Sequence, residues 1–301
     1  MCSSDLMSTL FTGSCVAMIT PFKDGEVDYD GLKKLIDWHI EQGTDALLIC
    51  GTTGEGATLS DEEHKQVLKV SGEYIDGRVP FLAGTGSNDT AYSVQLTQYA
   101  QDCGADMALI INPYYNKTTQ KGIYTHIKTV ADAVDIPIII YNVPSRTGSN
   151  IAVDTLARLS QVKNIQAVKA ASGNISQIAE VIEACGPDFD VYSGNDDQTL
   201  PIIAMGGKGV ISVTANIVPK DVHEMAMACV EDNMDLARTL FRKVNVLNRA
   251  MFYETNPIPV KTAMRLMGLD TGDRRLPLVE MGEDNEKRMI EAMKQYGGLI
   301  K

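Results

Sequence analysis

The chain has 301 residues, a formal net charge of −12 at pH 7 and 44% hydrophobic residues. Such a length accommodates one large domain or a domain with an appendage, and α/β barrels commonly run to about 250 residues. The pI near 4.8 argues against nucleic acid or an anionic membrane surface, either of which would require a basic patch, and leaves small molecules as the expected partners.

The N-terminal MCSSDLMSTLFTGS lacks a basic region followed by an apolar run, and no apolar stretch reaches membrane-spanning length. Residues before Met7 read as a disordered extension or as an alternative start. Cys2, Cys15, Cys50, Cys103, Cys185 and Cys229 are scattered, without a CxxC pair, a disulfide framework or zinc spacing. A reducing cytoplasm is the expected location.

In chain order, apolar β-rich runs recur: SCVAMITP (14–21), ALLICGTTG (46–54), PFLAGTGS (80–87), MALIINPYY (107–115), IPIIIYNVP (136–144), IQAVKAAS (165–172), DVYSGNDD (190–197) and KGVISVTAN (208–216). Most gaps between them carry helix-period patterns such as DYDGLKKLIDWHIEQG and SDEEHKQVLKVSGEYI. Ser60 with Glu63 three residues on has capping-box spacing, Asn88 or Asp89 caps the next helix, and Gly43 and Gly104 stand where helices should stop. The alternation predicts an α/β fold, a (β/α)8 TIM barrel whose near-continuous apolar strands form a parallel sheet under helices. After KGVISVTAN the pattern turns wholly helical, so a barrel over residues 1–232 is expected to carry a C-terminal helical domain over 233–301.

Barrel chemistry gathers at the C-terminal ends of strands. Read that way, GTTGE follows the second strand, NPYYN the fourth and YNVPSRTG the fifth, Lys169 lies within the sixth, and SGNDD ends the seventh. A lysine inside a short apolar strand has two readings. Its amine either loses its proton readily and attacks a ketone to form a Schiff base, or it pairs structurally with Asp196 or Asp197. Tyr141, one strand away, is either a proton shuttle at the same barrel mouth or a packed aromatic.

The glycines of GTTGEG let backbone amides and the hydroxyls of Thr52 and Thr53 approach a carboxylate, or else form a plain βα turn; Glu55 reads as loop architecture. Arg146 suits a substrate carboxylate through its planar fork, with a surface ion pair as the alternative. Tyr114 and Tyr115 line the mouth or pack against another subunit. His39, His64, His126 and His223 are too dispersed for a zinc site, and no metal constellation remains. GTGS (84–87) and GGKG (206–209) lack the full dinucleotide fingerprint.

GTTGE, NPYYN, YNVPSRTG, KAASGN, SGNDD, GVISVTAN and NPIPVK (256–261), in this order, resemble the dihydrodipicolinate synthase family of pyruvate-dependent class I aldolases, from Phe11 onward. The resemblance implies that Lys169 forms an imine with pyruvate. It also implies a proton relay of Tyr141, Thr52 and Tyr115, the last reaching in from an adjacent subunit. Thr53 would help hold the pyruvate carboxylate, Arg146 would receive L-aspartate-β-semialdehyde, and Gly194 and the Ile211 carbonyl would line the pocket. It further implies a homotetramer of two dimers, a role in lysine and diaminopimelate biosynthesis, and no external cofactor.

Two departures stand out. Ala170 follows the lysine where many relatives carry an acidic residue; strand alternation turns it away from the pocket, so catalysis should survive. Gly56, Asp61 and Tyr92 occupy positions where lysine-inhibited relatives bind L-lysine, while His64, Asn88 and Tyr114 remain compatible, so weak or absent feedback is expected. N-acetylneuraminate lyase and 2-keto-3-deoxy sugar acid aldolases share the lysine and tyrosine, and Arg146 is the discriminating residue. A non-catalytic sensor would be expected to have a broken Lys–Tyr–Thr set, which is complete here.

Overall fold

A computed structural model describes residues 9–269 and 271–300. Cys2 and the segment before Met7 lie outside them. Eight parallel strands close into a barrel in sequence order: β1 (Gly13–Ala17), β2 (Ala46–Ile49), β3 (Phe81–Gly84), β4 (Met107–Ile111), β5 (Ile138–Asn142), β6 (Ile165–Ala170), β7 (Asp190–Ser193) and β8 (Gly209–Ser212), with β8 returning to β1. Every predicted strand is present. Alternation sorts the side chains: Cys15, Leu48, Leu82, Leu109, Ile139, Ala167, Tyr192 and Ile211 fill the barrel interior, while Val16, Leu47, Ile110, Ile140 and Val168 pack outward beneath the helices. Ala170 belongs to the outward set, as its position one residue beyond Lys169 demands.

Helices α1 (Tyr29–Glu41), α2 (Asp61–Ile75), α3 (Thr90–Asp102), α4 (Gln120–Ala131), α5 (Val153–Leu159), α6 (Ile175–Cys185), α7 (Thr199–Ala204) and α8 (Pro219–Val230) alternate with the strands. Ser60 and Glu63 form the reciprocal capping box of α2. Asp89 rather than Asn88 caps α3, accepting from the N–H groups of Ala91 and Tyr92. The long helical run after β8 breaks at Asp232, which has φ +61°, and Asn233 caps α9 (Met234–Ala250). Then come α10 (Ile258–Leu266) and α11 (Glu283–Tyr296).

These last helices share a core with the barrel. Leu240, Val244, Leu247, Met264, Met289 and Met293 join Val16, Ile36 and Val67 in one apolar cluster. The opposite end is plugged: Phe11 stacks on Tyr192 with centroids 4.1 Å apart, and the Tyr192 hydroxyl donates to the Phe11 carbonyl at 2.8 Å. The five described cysteines are free thiols. Among the described residues, no helix is long and apolar enough to cross a membrane.

Candidate active site

β5 and β6 are neighbours, and their register pairs Tyr141 with Lys169. Both fall in phase with inward residues, Tyr141 two beyond Ile139 and Lys169 two beyond Ala167. The Lys169 Nζ lies 4.4 Å from the centroid of the Tyr141 ring. Lys169 is only 5% exposed, and burial, which penalises the charged form, brings its amine down to about 8 against the opposing influence of Cys15 and Asp196. Burial also drives the Cys15 thiol far up.

The alternative of a structural ion pair for Lys169 finds little support. Asp196 is buried, but its carboxylate is engaged elsewhere: it accepts from the Ser212 hydroxyl, from the Val213 N–H at 3.0 Å and from the Thr214 N–H at 3.3 Å. Asp197 is exposed. Asp196 therefore ties β7 to the loop after β8 and acts on Lys169 through its field.

The GTTGE loop follows β2. Burial raises the pKa of the Tyr141 phenol, while the neighbouring Arg146 and Thr52 oppose the shift. Thr53 is buried, and its hydroxyl accepts from Asn256 Nδ2 at 3.0 Å. Arg146, on the single helical turn Pro144–Thr147 after β5, donates from Nη2 to the Asn256 carbonyl at 3.1 Å. Gly194 leaves room for the lysine stem: a Cβ there would stand 2.8 Å from the Ala171 Cβ and 3.1 Å from the Lys169 Cγ. Ile211, buried on β8, pairs with Cys15.

Thr52, Tyr141 and Arg146 line a cavity of about 430 Å³, together with His64, Tyr92 and Tyr114. Lys169 is not among its wall residues and lies instead against the ring of Tyr141. Tyr115 stands apart from the set: it is 92% exposed, with φ +63°. Burial and the neighbouring Asp61 raise the pKa of the Tyr92 phenol, and His64 Nε2 sits 3.0 Å from the Gly84 carbonyl.

Sequence reasoning missed the contribution of the C-terminal segment. Glu55 is loop architecture as expected, but its partner is Lys261 on α10, and both side chains are fully enclosed. The signal was available, because Lys261 follows the apolar PIPV just as Lys169 interrupts an apolar strand. Asn256, which joins Thr53 and Arg146, carried no local signal of its role.

The dihydrodipicolinate synthetase family matches residues 10–296. The 4-hydroxy-tetrahydrodipicolinate synthase of Thermoanaerobacter sp. (strain X514) is 53% identical over 289 residues, spanning 96% of this chain and 97% of that protein. The crystal structure of dihydrodipicolinate synthase from Aquifex aeolicus superposes with a TM-score of 0.94 at 49% identity, over 97% of this chain and 100% of that one. The chloride-inhibited enzyme from Acinetobacter baumannii, complexed with pyruvate, superposes with a TM-score of 0.92 at 45% identity, over 95% of this chain and 99% of that one. An eight-stranded barrel with the strand lysine, the neighbouring tyrosine and near-full-length identity to these proteins places the chain in the dihydrodipicolinate synthetase family.

Proposed function

We propose that this chain is a Schiff-base-forming lyase that condenses pyruvate with L-aspartate-β-semialdehyde to give 4-hydroxy-tetrahydrodipicolinate, in lysine and diaminopimelate biosynthesis. The observation that carries the reading is the pairing of a desolvated Lys169 with Tyr141 at the mouth of the barrel. Identity of 53% to a synthase of that name supports the choice of substrates.

The neutral Lys169 amine attacks the pyruvate carbonyl carbon, and water leaves as the imine forms. Loss of a methyl proton gives an enamine whose carbon attacks the semialdehyde, and the new alkoxide takes up a proton. The substrate's own amine then attacks the imine carbon, closes the ring and releases Lys169. No electrons are gained or lost overall, so the imine is the only electron sink the reaction requires and no external cofactor is invoked.

In this reading Tyr141 and Thr52 move protons to and from the carbinolamine and alkoxide, and Tyr115 of an adjacent subunit completes the relay. Thr53 holds the pyruvate carboxylate, and Arg146 receives the carboxylate of the semialdehyde. Gly194 and the Ile211 carbonyl line the pyruvate end. The active form is a cytoplasmic homotetramer built from two dimers. The catalytic barrel ends at residue 232 and the C-terminal helical domain begins at 233.

Borohydride reduction with pyruvate, followed by peptide mass spectrometry, tests the chemistry. The expected result is an adduct on Lys169, with pyruvate consumed when the semialdehyde is supplied and not when N-acetylmannosamine is. An adduct with turnover only on the sugar would move the chain to the lyase branch. Absence of any adduct would remove the imine mechanism.

A further inference from the structure

The Lys261–Glu55 contact is a fully enclosed ion pair, and stability alone is a poor explanation for it. Desolvating two charges offsets much of their attraction, and apolar residues of similar volume often serve stability as well or better. Its placement is more informative. Glu55 closes the GTTGE loop in a left-handed conformation, φ +53°, and its N–H donates to the Thr52 carbonyl at 3.1 Å. Its Oε2 accepts from the Arg275 N–H at 3.1 Å.

Lys261 is held as firmly. Its Nζ donates to the Asp273 carbonyl at 2.9 Å and lies 4.4 Å from the centroid of the Phe22 ring. The Arg275 guanidinium lies against the same ring at 4.4 Å and bonds Glu63 at the start of α2. Two neighbouring residues of the loop are thus tied to the same C-terminal segment. Lys261 anchors Glu55, whose backbone holds Thr52, and Asn256 donates to Thr53 at 3.0 Å. Because the Asn256 amide occupies a Thr53 lone pair, the Thr53 hydroxyl proton is left to point elsewhere.

We infer that Lys261 and Glu55 are positioning residues: the C-terminal segment clamps the GTTGE loop in the conformation that presents the Thr52 and Thr53 hydroxyls to the oxo-acid. The inference rests on the reading of that loop as the pyruvate carboxylate site. Neither residue touches substrate. A loop released from the clamp would leave Lys169 and Tyr141 on their strands but would meet the carboxylate with misplaced donors, so the loss should fall on pyruvate saturation before it falls on imine chemistry.

The test uses the full chain with two variants, the charge-free double replacement Glu55→Gln/Lys261→Met and the conservative Glu55→Asp, which shortens the anchor by one methylene. Thermal unfolding establishes that each is folded. Borohydride trapping and steady-state kinetics then give the pyruvate and semialdehyde concentrations at half-saturation. The expected outcome is a rise of about tenfold for pyruvate, equivalent to about 1.4 kcal/mol, with an adduct still forming on Lys169 at high pyruvate and little change for the semialdehyde. Folded variants that saturate with pyruvate as the parent does would overturn the inference, leaving the pair with a purely structural role. If the double variant does not fold, Glu55→Asp decides by the same criterion. Failure of the parent protein to trap pyruvate on Lys169 would instead sink the functional reading beneath it, and the two failures are told apart by that control.

Discussion

Lys169 and Tyr141 face each other across adjacent strands, the ammonium nitrogen 4.4 Å from the ring centroid. Shape and polarity at this point are separable, because phenylalanine keeps the ring that packs against the lysine and removes only the proton-carrying hydroxyl. Tyr141→Phe is expected to fold as the parent does and to lower turnover by about 10²- to 10⁴-fold, the usual contribution of a positioned acid or base. Single-turnover trapping on Lys169 should slow but persist; turnover close to the parent's would exclude the phenol from proton transfer.

The nucleophile in imine formation is the unprotonated amine. With burial holding Lys169 at about 8 rather than the free lysine value of about 10.4, the reactive fraction rises as pH rises and levels off above that value. The rate of pyruvate trapping measured between pH 6 and pH 10 should climb through a midpoint of about 8. A midpoint near that of free lysine would mean that the site is wet and that desolvation does not activate the amine.

Tyr115 is 92% exposed in a left-handed backbone conformation, an unusual presentation for an aromatic side chain that does not line the cavity of its own chain. If a neighbouring subunit receives it, Tyr115→Phe lowers turnover strongly without unfolding the protein, and sedimentation should report an assembly larger than one chain. Equal turnover by Tyr115→Phe would take this residue out of the relay.

Asp196 satisfies three buried donors, from Ser212, Val213 and Thr214. Leaving a buried polar group unmet costs about 1–3 kcal/mol, so Asp196→Ala should lower the unfolding free energy by at least about 1 kcal/mol, read as a lower urea midpoint at unchanged m-value. It should also reduce pyruvate trapping, because the loop it secures follows Ile211. A midpoint equal to that of the parent would show that water replaces the carboxylate at no net cost.

L-lysine should inhibit weakly or not at all. Asp61 is paired with Lys65 at 2.7 Å and Gly56 offers no side chain, so the wall formed by Gly56, Tyr92 and His64 contributes no carboxylate to a bound ammonium. Steady-state rates with L-lysine across the millimolar range provide the check, and a concentration-dependent loss of activity there would reverse this expectation.

Much of this architecture is legible along the chain because its determinants are local. Alternation with period two sends Lys169 inward and Ala170 outward, the Ser60–Glu63 spacing starts α2, and eight apolar runs separated by helical patterns have few closed arrangements available. Lys169 announces itself as a charge in an apolar strand, and consecutive strands in a parallel barrel are neighbours, which brings Tyr141 beside it.

Other features were decided only by the tertiary structure. Thr53 and Asn256 are 203 residues apart, and nothing periodic in either neighbourhood encodes their meeting. The fully enclosed Glu55–Lys261 pair, the bond from Arg146 to the Asn256 carbonyl and the engagement of Asp196 by the loop after β8 are of the same kind. Those that involve Asn256 and Lys261 depend on where chain segments come to lie once the apolar face of the C-terminal helices has been buried against the barrel, and the engagement of Asp196 depends on the pairing of β7 with β8. Sequence by itself set which residues were unusual and which way each strand turned them; packing of distant segments set which of those residues hold one another in place.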